Sequence, residues 1–527
     1  MTVIAHEPSG FEGSLVQVEV DIRRGIPGVD LVGLAAGAVK EARERVRAAI
    51  RNSGFEFPLD RVLISLAPAD LTKEGAAYDL PMALALLGAS GALPDPGKPL
   101  LALGELRLEG AVRPVRGVLP AVAAALRAGI DCFIVPEDNL AEARALRKGQ
   151  VYPIRWLAEA PLLLGLIREG AEPPAGILPV DGKPVPFSRA EVCEGDLSEL
   201  KGQARLKRAL EIAAAGGHNI LLLGPPGSGK TMAARRFIGL LPDLDEEDAV
   251  EVASLYSLSG LLGAGAALQR RPPFRAPHHS ASLEGMIGGG RRLRPGEISL
   301  AHKGVLFLDE AAEFRVDVLQ SLREPLEEGS VSLVRAGSIA RFPSGFQLVM
   351  AANPCPCGNL GRKNKACLCS IQELQRYRRK IGGPLLDRID IRVPVEPTAP
   401  EALLGPAGEK GLAVRGRVEA AIRLQYERYG REAGQVDGAR GVVTNARLRP
   451  GQVDRHCRLD AKAVRIFQRA VERLELSSRA CHSILKIART IADLGGTTEI
   501  GEEQILEAVQ HRRFGDDDAI WPSDSFA

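Results

Sequence analysis

The chain has 527 residues, with 68 Lys plus Arg against 66 Asp plus Glu, so its net charge is only +2 and the whole-chain field selects no partner. At roughly 100–200 residues per domain this length predicts two to four domains, each able to bury a core. Hydrophobic residues at 45% and charged residues at 25% match globular chains and exclude a peptide hormone, a disulfide knot and a disordered tail.

Aromatics are only 4%, which argues against rows of stacking platforms. Met1 to Gly10 carries no basic segment followed by an apolar stretch, so no signal peptide is read and a cytoplasmic protein is expected. The longest uncharged run, Val252 to Gln269, holds three Ser and three Gly. That composition suits a flexible surface insertion rather than a membrane span of about 20 apolar residues. No transmembrane helix and no membrane partner are expected.

From about Gly13 to Leu166, β-rich runs (Leu15 to Ile22, Val62 to Leu66, Cys132 to Val135) alternate with Ala-rich helical stretches (Val39 to Ile50, Leu80 to Leu87, Leu119 to Ala128). This reads as one α/β domain over residues 1–170. The Pro/Gly-rich stretch from Glu169 to Pro186 cannot build a packed element and marks a linker, 171–186. Helix, buried strand, glycine loop and helix follow, then apolar strands at Val305 to Leu308 and Leu348 to Ala351. That order predicts a parallel, nucleotide-binding sheet over 187–395. Apolar residues at helical spacing in Val414 to Tyr429, Ala461 to Leu474 and Arg479 to Asp493, with Glu502 to His511 following, predict a helical third domain over 396–515 and a tail over 516–527.

The strongest signal is Gly224-Pro225-Pro226-Gly227-Ser228-Gly229-Lys230-Thr231, preceded by the strand Asn219 to Leu223 and followed by the helical Met232 to Leu241. Glycines let backbone N–H groups close around phosphate oxygens at a helix N-terminus, Lys230 reaches the β and γ phosphates, and Thr231 ligates Mg²⁺. ATP and Mg²⁺ are the expected cofactors. Val305 to Leu308 ends in Asp309 and Glu310. Asp309 is expected to hold Mg²⁺ through water, and Glu310 to orient and deprotonate the attacking water.

These segments, with Leu348 to Asn353 and Leu385-Leu-Asp-Arg-Ile-Asp390, resemble an AAA+ ATPase. The resemblance implies that Asn353 is sensor 1, that Arg388 is an arginine finger inserted into a neighbouring subunit, and that Arg479, in Ser477-Ser-Arg-Ala480, is sensor 2. The plainer alternatives are an ion pair of Arg388 with Asp387 or Asp390, and a solvated helix N-terminus at Arg479. A finger acting in trans implies a homo-oligomeric ring, a hexamer.

Lys230 and Asp309 lie 79 positions apart, more than a minimal core needs. The extra chain includes Arg271-Pro-Pro-Phe-Arg-Ala-Pro-His-His-Ser-Ala-Ser282 and Gly288 to His302. These segments, with Arg323 to Gly329 and Ala352-Asn-Pro-Cys-Pro-Cys-Gly358, closely resemble magnesium-chelatase-like AAA+ proteins of the ComM/YifB type. The likeness implies that a hairpin of Val331 to Arg335 and Ile339 to Phe342 projects into the pore of the ring. It also implies an ATP-driven DNA motor, a helicase promoting branch migration during integration of transforming DNA. A chelatase-like or protein-remodelling engine acting on a polypeptide is the alternative.

Between Arg270 and Lys380 there are 18 Lys plus Arg and 10 Asp plus Glu. This local excess can neutralise phosphates or simply form a solvated face. Arg291, Arg292, Arg335 and Arg341 are the candidate DNA contacts, and with few aromatics nearby such contacts would be backbone-directed.

Four of the eight cysteines, Cys355, Cys357, Cys367 and Cys369, fall in one window. They could supply four thiolates to a tetrahedral Zn²⁺, although the Cys-x-Cys spacing is tighter than usual, or stay as free thiols or redox-sensitive pairs. Cys132, Cys193, Cys457 and Cys481 read as packing residues, and His278 and His279 as surface or pore groups.

Gly104 to Pro120, with Arg127 to Ile130 and Ile134 to Asp138, resembles the proteolytic domain of Lon-type proteases. Those enzymes use a Ser and Lys pair. Here Ala76 and Ala77 stand where the serine belongs, and Gly117 to Pro120 offers no lysine. No peptide hydrolysis by that dyad is expected, and a structural or ring-stacking role is preferred.

Overall fold

The computed structural model describes residues 1–33, 37–73, 75–171, 195–262, 268–290, 293–335, 338–360, 362, 365–406, 408–433 and 444–513. The expected linker from residue 172 onward, the tail 516–527, Cys193, Arg291 and Arg292 lie outside the described residues.

The amino-terminal sheet is built from β1 (Val3–Glu7), β2 (Ser14–Arg23), β3 (Gly28–Val32), β4 (Arg61–Ala67) and β5 (Leu100–Ala102). A small hairpin, β6 (Glu105–Leu106) and β7 (Val112–Arg113), precedes β8 (Cys132–Pro136) and β9 (Gln150–Ile154). Seven strands align as β3-β4-β2-β1-β5-β8-β9. Pairing is antiparallel at β1/β2 and β2/β4 and parallel elsewhere. Val16 and Val18 of β2 face the core while Gln17 and Glu19 face solvent, the period of two that half-buried strands show. The helix Asp79–Ala89 is buried from Asp79 through Leu87, as its apolar circumference requires. Its buried charge is matched: Arg45 Nε donates to Asp79 Oδ2 at 2.9 Å, and the Leu106 amide donates to the same oxygen at 3.2 Å.

The second sheet follows a parallel plan. Its strands are β10 (Ile220–Leu223), β11 (Phe274–Arg275), β14 (Val305–Leu308), β17 (Gln347–Ala352) and β18 (Ile391–Pro394), with a short hairpin β12 (Gly288–Gly289) and β13 (Arg294–Pro295) between β11 and β14 and a longer one, β15 (Ser330–Arg335) and β16 (Ser338–Pro343), before β17. The order is β11-β14-β17-β10-β18 and every pairing is parallel. Alternate residues enter two different cores. Ile220, Leu222, Phe307, Val349 and Ile391 pack on one face, while Leu221, Leu223, Leu306, Leu308 and Met350 pack on the other. Both faces are covered, which is why these strands read as continuous apolar runs.

The carboxy-terminal helices, Gly411–Ala433, Ala461–Leu474, Ser478–Leu494 and Glu502–Arg513, share the first of those cores with helix Ala204–Gly216. A polar knot fixes them: buried Asp493 accepts from Arg428 Nη2 at 2.6 Å, Arg489 Nε at 3.1 Å and Asn445 Nδ2 at 2.9 Å.

One sequence expectation is corrected here. Val252 to Ser259 is not surface insertion but the second half of helix Glu246–Ser259, with Val252 through Ser257 buried. Val252, Ala253 and Tyr256 pack with Leu119 of the amino-terminal region and Leu300, and Ser257 Oγ accepts from the Gly117 amide at 3.0 Å. The three serines looked like solvent signals, yet Ser254 and Ser259 are satisfied by main-chain carbonyls of their own helix, a local solution open to short hydroxyl side chains. Among the described residues no helix is long and apolar enough to cross a membrane.

Candidate functional site

The carboxyl ends of β10, β14 and β17 lie side by side, because Leu223 pairs with Ala352 and Leu308 with Met350. The residues that leave those ends, Gly224, Asp309 and Asn353, therefore meet at one edge of the sheet. Gly229, at φ +91°, turns the loop into helix Lys230–Phe237 with a backbone that only glycine adopts without strain. The loop is thus set at a helix N-terminus, where main-chain donors and the helix dipole attract anions.

Lys230 Nζ donates to Gly224 O at 2.6 Å, Pro225 O at 3.0 Å and Asn353 Oδ1 at 3.1 Å. Burial lowers its pKa, while Asp309 and Glu310 pull the other way. Thr231 Oγ1 donates to Asp309 Oδ2 at 2.7 Å, so a hydroxyl and a carboxylate from two elements stand together. Oxygen donors of this kind suit a hard dication. Ser228 Oγ is buried and has no protein partner. A triphosphate with Mg²⁺ fits this donor set: main-chain N–H groups and an ammonium for the phosphates, hydroxyl and carboxylate oxygens for the ion.

Glu310 sits at φ +50°, a left-handed conformation that costs a non-glycine residue on the order of 1–2 kcal/mol. It is held there by its own amide, which donates to Asp309 Oδ1 at 3.0 Å, and by its carbonyl, which accepts from Glu313 N at 2.7 Å. The result is an exposed carboxylate just beyond the end of β14. His279 Nδ1 lies 3.8 Å from Glu310 Oε2. That neighbour was read in the sequence only as a surface or pore group, since nothing in a His-His pair names its carboxylate.

Arg388 is elsewhere. Its carbonyl accepts from Asn219 Nδ2 at 3.0 Å, at the amino end of β10, whereas the phosphate loop leaves the carboxyl end. Five residue steps, from Asn219 to Gly224, separate the two levels by about 16 Å at ~3.3 Å per residue, beyond the reach of an arginine side chain. The sequence alternative of an ion pair with Asp387 or Asp390 is also set aside. Arg388 Nη2 pairs with Glu327 Oε1 at 2.6 Å, and Asp390 is taken by His218 Nδ1 at 3.1 Å and by Ser483. Arg479, in the first turn of helix Ser478–Leu494, reaches the same Glu327 oxygen at 2.5 Å. It is not a free solvated terminus.

The hairpin β15/β16 is present, with Val334 opposite Ile339 and Arg335 opposite Ser338. Val334 and Ile339 are 72% and 67% exposed near its tip. Arg335 is exposed, whereas Arg341 donates from Nε to Ser330 Oγ at 3.0 Å and its carbonyl accepts from Phe11 N at 3.0 Å. The hairpin base therefore docks on the amino-terminal region. A cleft of about 700 Å³ lies between them, lined by Ala76 and Ala77 on one side and by Arg294, Arg335 and Phe342 on the other. The alanines at the expected nucleophile position open into it with nothing reactive.

Cys355, Cys357, Cys367 and Cys369 converge, their sulfur atoms all within 4.8 Å of one another. Cys132 and Cys457 are buried and Cys481 is half-buried, as packing residues are.

A parallel sheet with the first strand between the fifth and fourth, a phosphate loop on the first, an acidic end on the third and a terminal Asn on the fourth defines a P-loop nucleotide-binding protein of the AAA+ class. Family models agree. Residues 196–403 match "Magnesium chelatase, subunit ChlI", 18–139 match "Subunit ChlI of Mg-chelatase", and 408–512 match "Magnesium chelatase, subunit ChlI C-terminal". The chain is 41% identical to Competence protein ComM of Haemophilus influenzae over 526 residues, covering 97% of each. It is 42% identical to YifB of Escherichia coli over 509 residues, covering 95% of each. An uncharacterized protein of Mycobacterium tuberculosis is 41% identical over 508 residues, 96% of this chain and 97% of that one. The chain belongs to the magnesium-chelatase-like AAA+ family of ComM and YifB. A stretch of 146 residues is also 31% identical to Lon protease of Geobacter metallireducens, 26% of this chain and 17% of the protease.

Proposed function

We propose that the chain is a ring-forming ATPase that hydrolyses ATP at the seam between protomers and couples it to movement along DNA, as a helicase promoting branch migration during integration of transforming DNA. The observation that carries the seam is the separation of Arg388 from its own phosphate loop by the length of a strand. In this reading Lys230 exchanges its carbonyl partners for the β and γ phosphates, and Gly224 to Gly229 wrap the phosphates with main-chain N–H groups. Thr231 and Asp309 hold Mg²⁺, which would supply charge neutralisation. Glu310 takes the proton of the attacking water and Asn353 orients that water. Arg388 of one protomer, with Arg479 beside it, meets the γ-phosphate of the next; an arginine in that role contributes roughly 10³–10⁵ in rate. Zn²⁺ at the four cysteines is a structural ion outside the hydrolytic step.

The domain division carried with this proposal is 1–170, 187–395 and 396–515, in a cytoplasmic hexamer. The DNA part is supported by the name of the Haemophilus relative, a competence protein, and by exposed Arg335 on a hairpin with an apolar tip. The match to chelatase subunits favours a second reading, remodelling of a polypeptide partner by the same engine.

ATP turnover of the purified protein is the discriminating measurement, with forked or three-stranded DNA or an unfolded polypeptide added and Glu310→Gln as control. DNA-stimulated turnover with strand displacement supports the motor. Stimulation by the polypeptide with DNA inert selects the remodeller.

A further inference from the structure

We infer that Cys355, Cys357, Cys367 and Cys369 form a single-ion Zn²⁺ centre whose loop braces the phosphate loop. The sulfur geometry comes first. Cys355 and Cys357 sulfurs are 3.4 Å apart, Cys357 and Cys367 3.6 Å, and Cys367 and Cys355 3.7 Å. A disulfide needs about 2.05 Å, so these are not bonded pairs. Four thiolates at about 2.3 Å from a tetrahedral Zn²⁺ stand about 3.8 Å from each other, close to the 3.4–3.7 Å among Cys355, Cys357 and Cys367, with Cys369 within 4.8 Å of all three. A multi-iron cluster distributes its thiolates over several metal atoms and spreads them beyond the 4.8 Å that contains all four here. An all-sulfur set also disfavours Mg²⁺ and Ca²⁺.

The surroundings complete the site. The Leu360 amide donates to Cys355 Sγ at 3.3 Å, the kind of outer hydrogen bond that settles a thiolate ligand. Gly358, at φ +71°, closes the Cys355-Pro356-Cys357 turn with its amide on Cys355 O at 3.0 Å. That left-handed turn lets a Cys-x-Cys spacing aim both sulfurs inward, which the usual spacing achieves with longer loops.

The loop also touches the nucleotide machinery at two points. A Cβ on Gly358 would lie 2.6 Å from Pro226 Cδ and 2.7 Å from Pro226 Cγ, so the Gly358 main chain packs closely against the Pro226 ring. Arg362 Nη2 donates to Pro226 O at 2.5 Å. Cys355 itself follows Asn353 by two residues. One metal therefore ties the segment after Asn353 to the phosphate loop. Three of its four ligands are partly or fully exposed, so apolar packing does not hold this loop, and metal binding supplies the missing order. The bracing half of the inference rests on the ATPase reading, whereas the metal centre does not.

The test uses the full chain purified without chelator. Elemental analysis should find about one zinc per chain and little iron. Zinc removal should weaken binding of a fluorescent ATP analogue about tenfold, as expected for loss of a preorganised site, with recovery on adding Zn²⁺. Arg362→Ala, which removes a contact to Pro226 O without touching a ligand or the Gly358 turn, should keep its zinc and still bind the analogue more weakly, a readout independent of whether cysteine variants fold. Metal-free or iron-loaded protein overturns the centre. Unchanged analogue affinity after zinc removal overturns the brace. Zinc-loaded protein that binds no nucleotide overturns the brace and the ATPase reading together, and leaves the metal centre standing.

Discussion

Arg388 and Arg479 converge on one atom, Oε1 of Glu327, at 2.6 and 2.5 Å. They come from distant parts of the chain, one from the loop before β18 and the other from the first turn of helix Ser478–Leu494. Arg479 and Arg388 together hold the Glu327 carboxyl below the usual carboxylate range. Glu327 thus gathers the two guanidiniums in one place, and at Arg388 the main chain lies about a strand's length from the protomer's own phosphate loop.

Arg388→Ala is expected to bind ATP normally and lose roughly 10³-fold or more in turnover. Arg479→Ala should lower turnover as well. Arg479→Ala touches a half-exposed ion pair, so thermal unfolding should shift by the equivalent of about 1 kcal/mol or less, whereas the Arg388 side chain is mostly buried and its truncation also removes packing. A large drop in stability on Arg479→Ala would mean that it holds the fold rather than serves hydrolysis.

Within the phosphate site, Lys230→Ala should abolish nucleotide binding measured by titration of a fluorescent analogue. Glu310→Gln should keep binding and lower turnover about 10²–10⁴-fold, the range of a lost general base. Tight binding by Lys230→Ala would remove the phosphate-loop assignment.

Asp493→Ala should destabilise the helical region by roughly 3–5 kcal/mol, because it leaves Arg489 buried without its countercharge. Calorimetry reads this as an early transition. Since helix Ser478–Leu494 also carries Arg479, turnover should fall with it.

His6 gives an acid signature. Burial lowers its pKa to about 4, against about 6.5 in an unfolded chain. The unfolded state therefore binds more protons between those values, so stability is full above pH 6.5 and falls toward pH 4, by about 3 kcal/mol. The unfolding temperature of wild type should drop through that window more steeply than that of His6→Asn. Equal slopes would contradict the assignment.

The phosphate loop, Asp309, Glu310 and Asn353 were legible because each lies within one or two residues of an apolar strand whose end fixes its place. The parallel sheet was legible for the same reason. Glu327 was not, since a carboxylate in Arg323–Glu328 gains its role only through two arginines brought from 61 and 152 positions away. Helix Glu246–Ser259 was misread after Val252 because its serines bond to its own backbone or to the amino-terminal region, which composition cannot display. The cysteine cluster announced itself by spacing, but its contact with Pro226 depends on the backbone of Gly358 and is silent in the sequence.

The central claim, hydrolysis at a seam completed by Arg388, is tested most directly by mixing two inactive proteins. Lys230→Ala cannot bind ATP yet still offers Arg388, and Arg388→Ala binds ATP yet offers no finger. Equal mixtures should recover about a quarter of wild-type turnover per chain, because random assembly puts a competent donor beside a competent acceptor at that fraction of seams. A mixture as inactive as its parts, or Arg388→Ala turning over at the wild-type rate alone, would contradict the account.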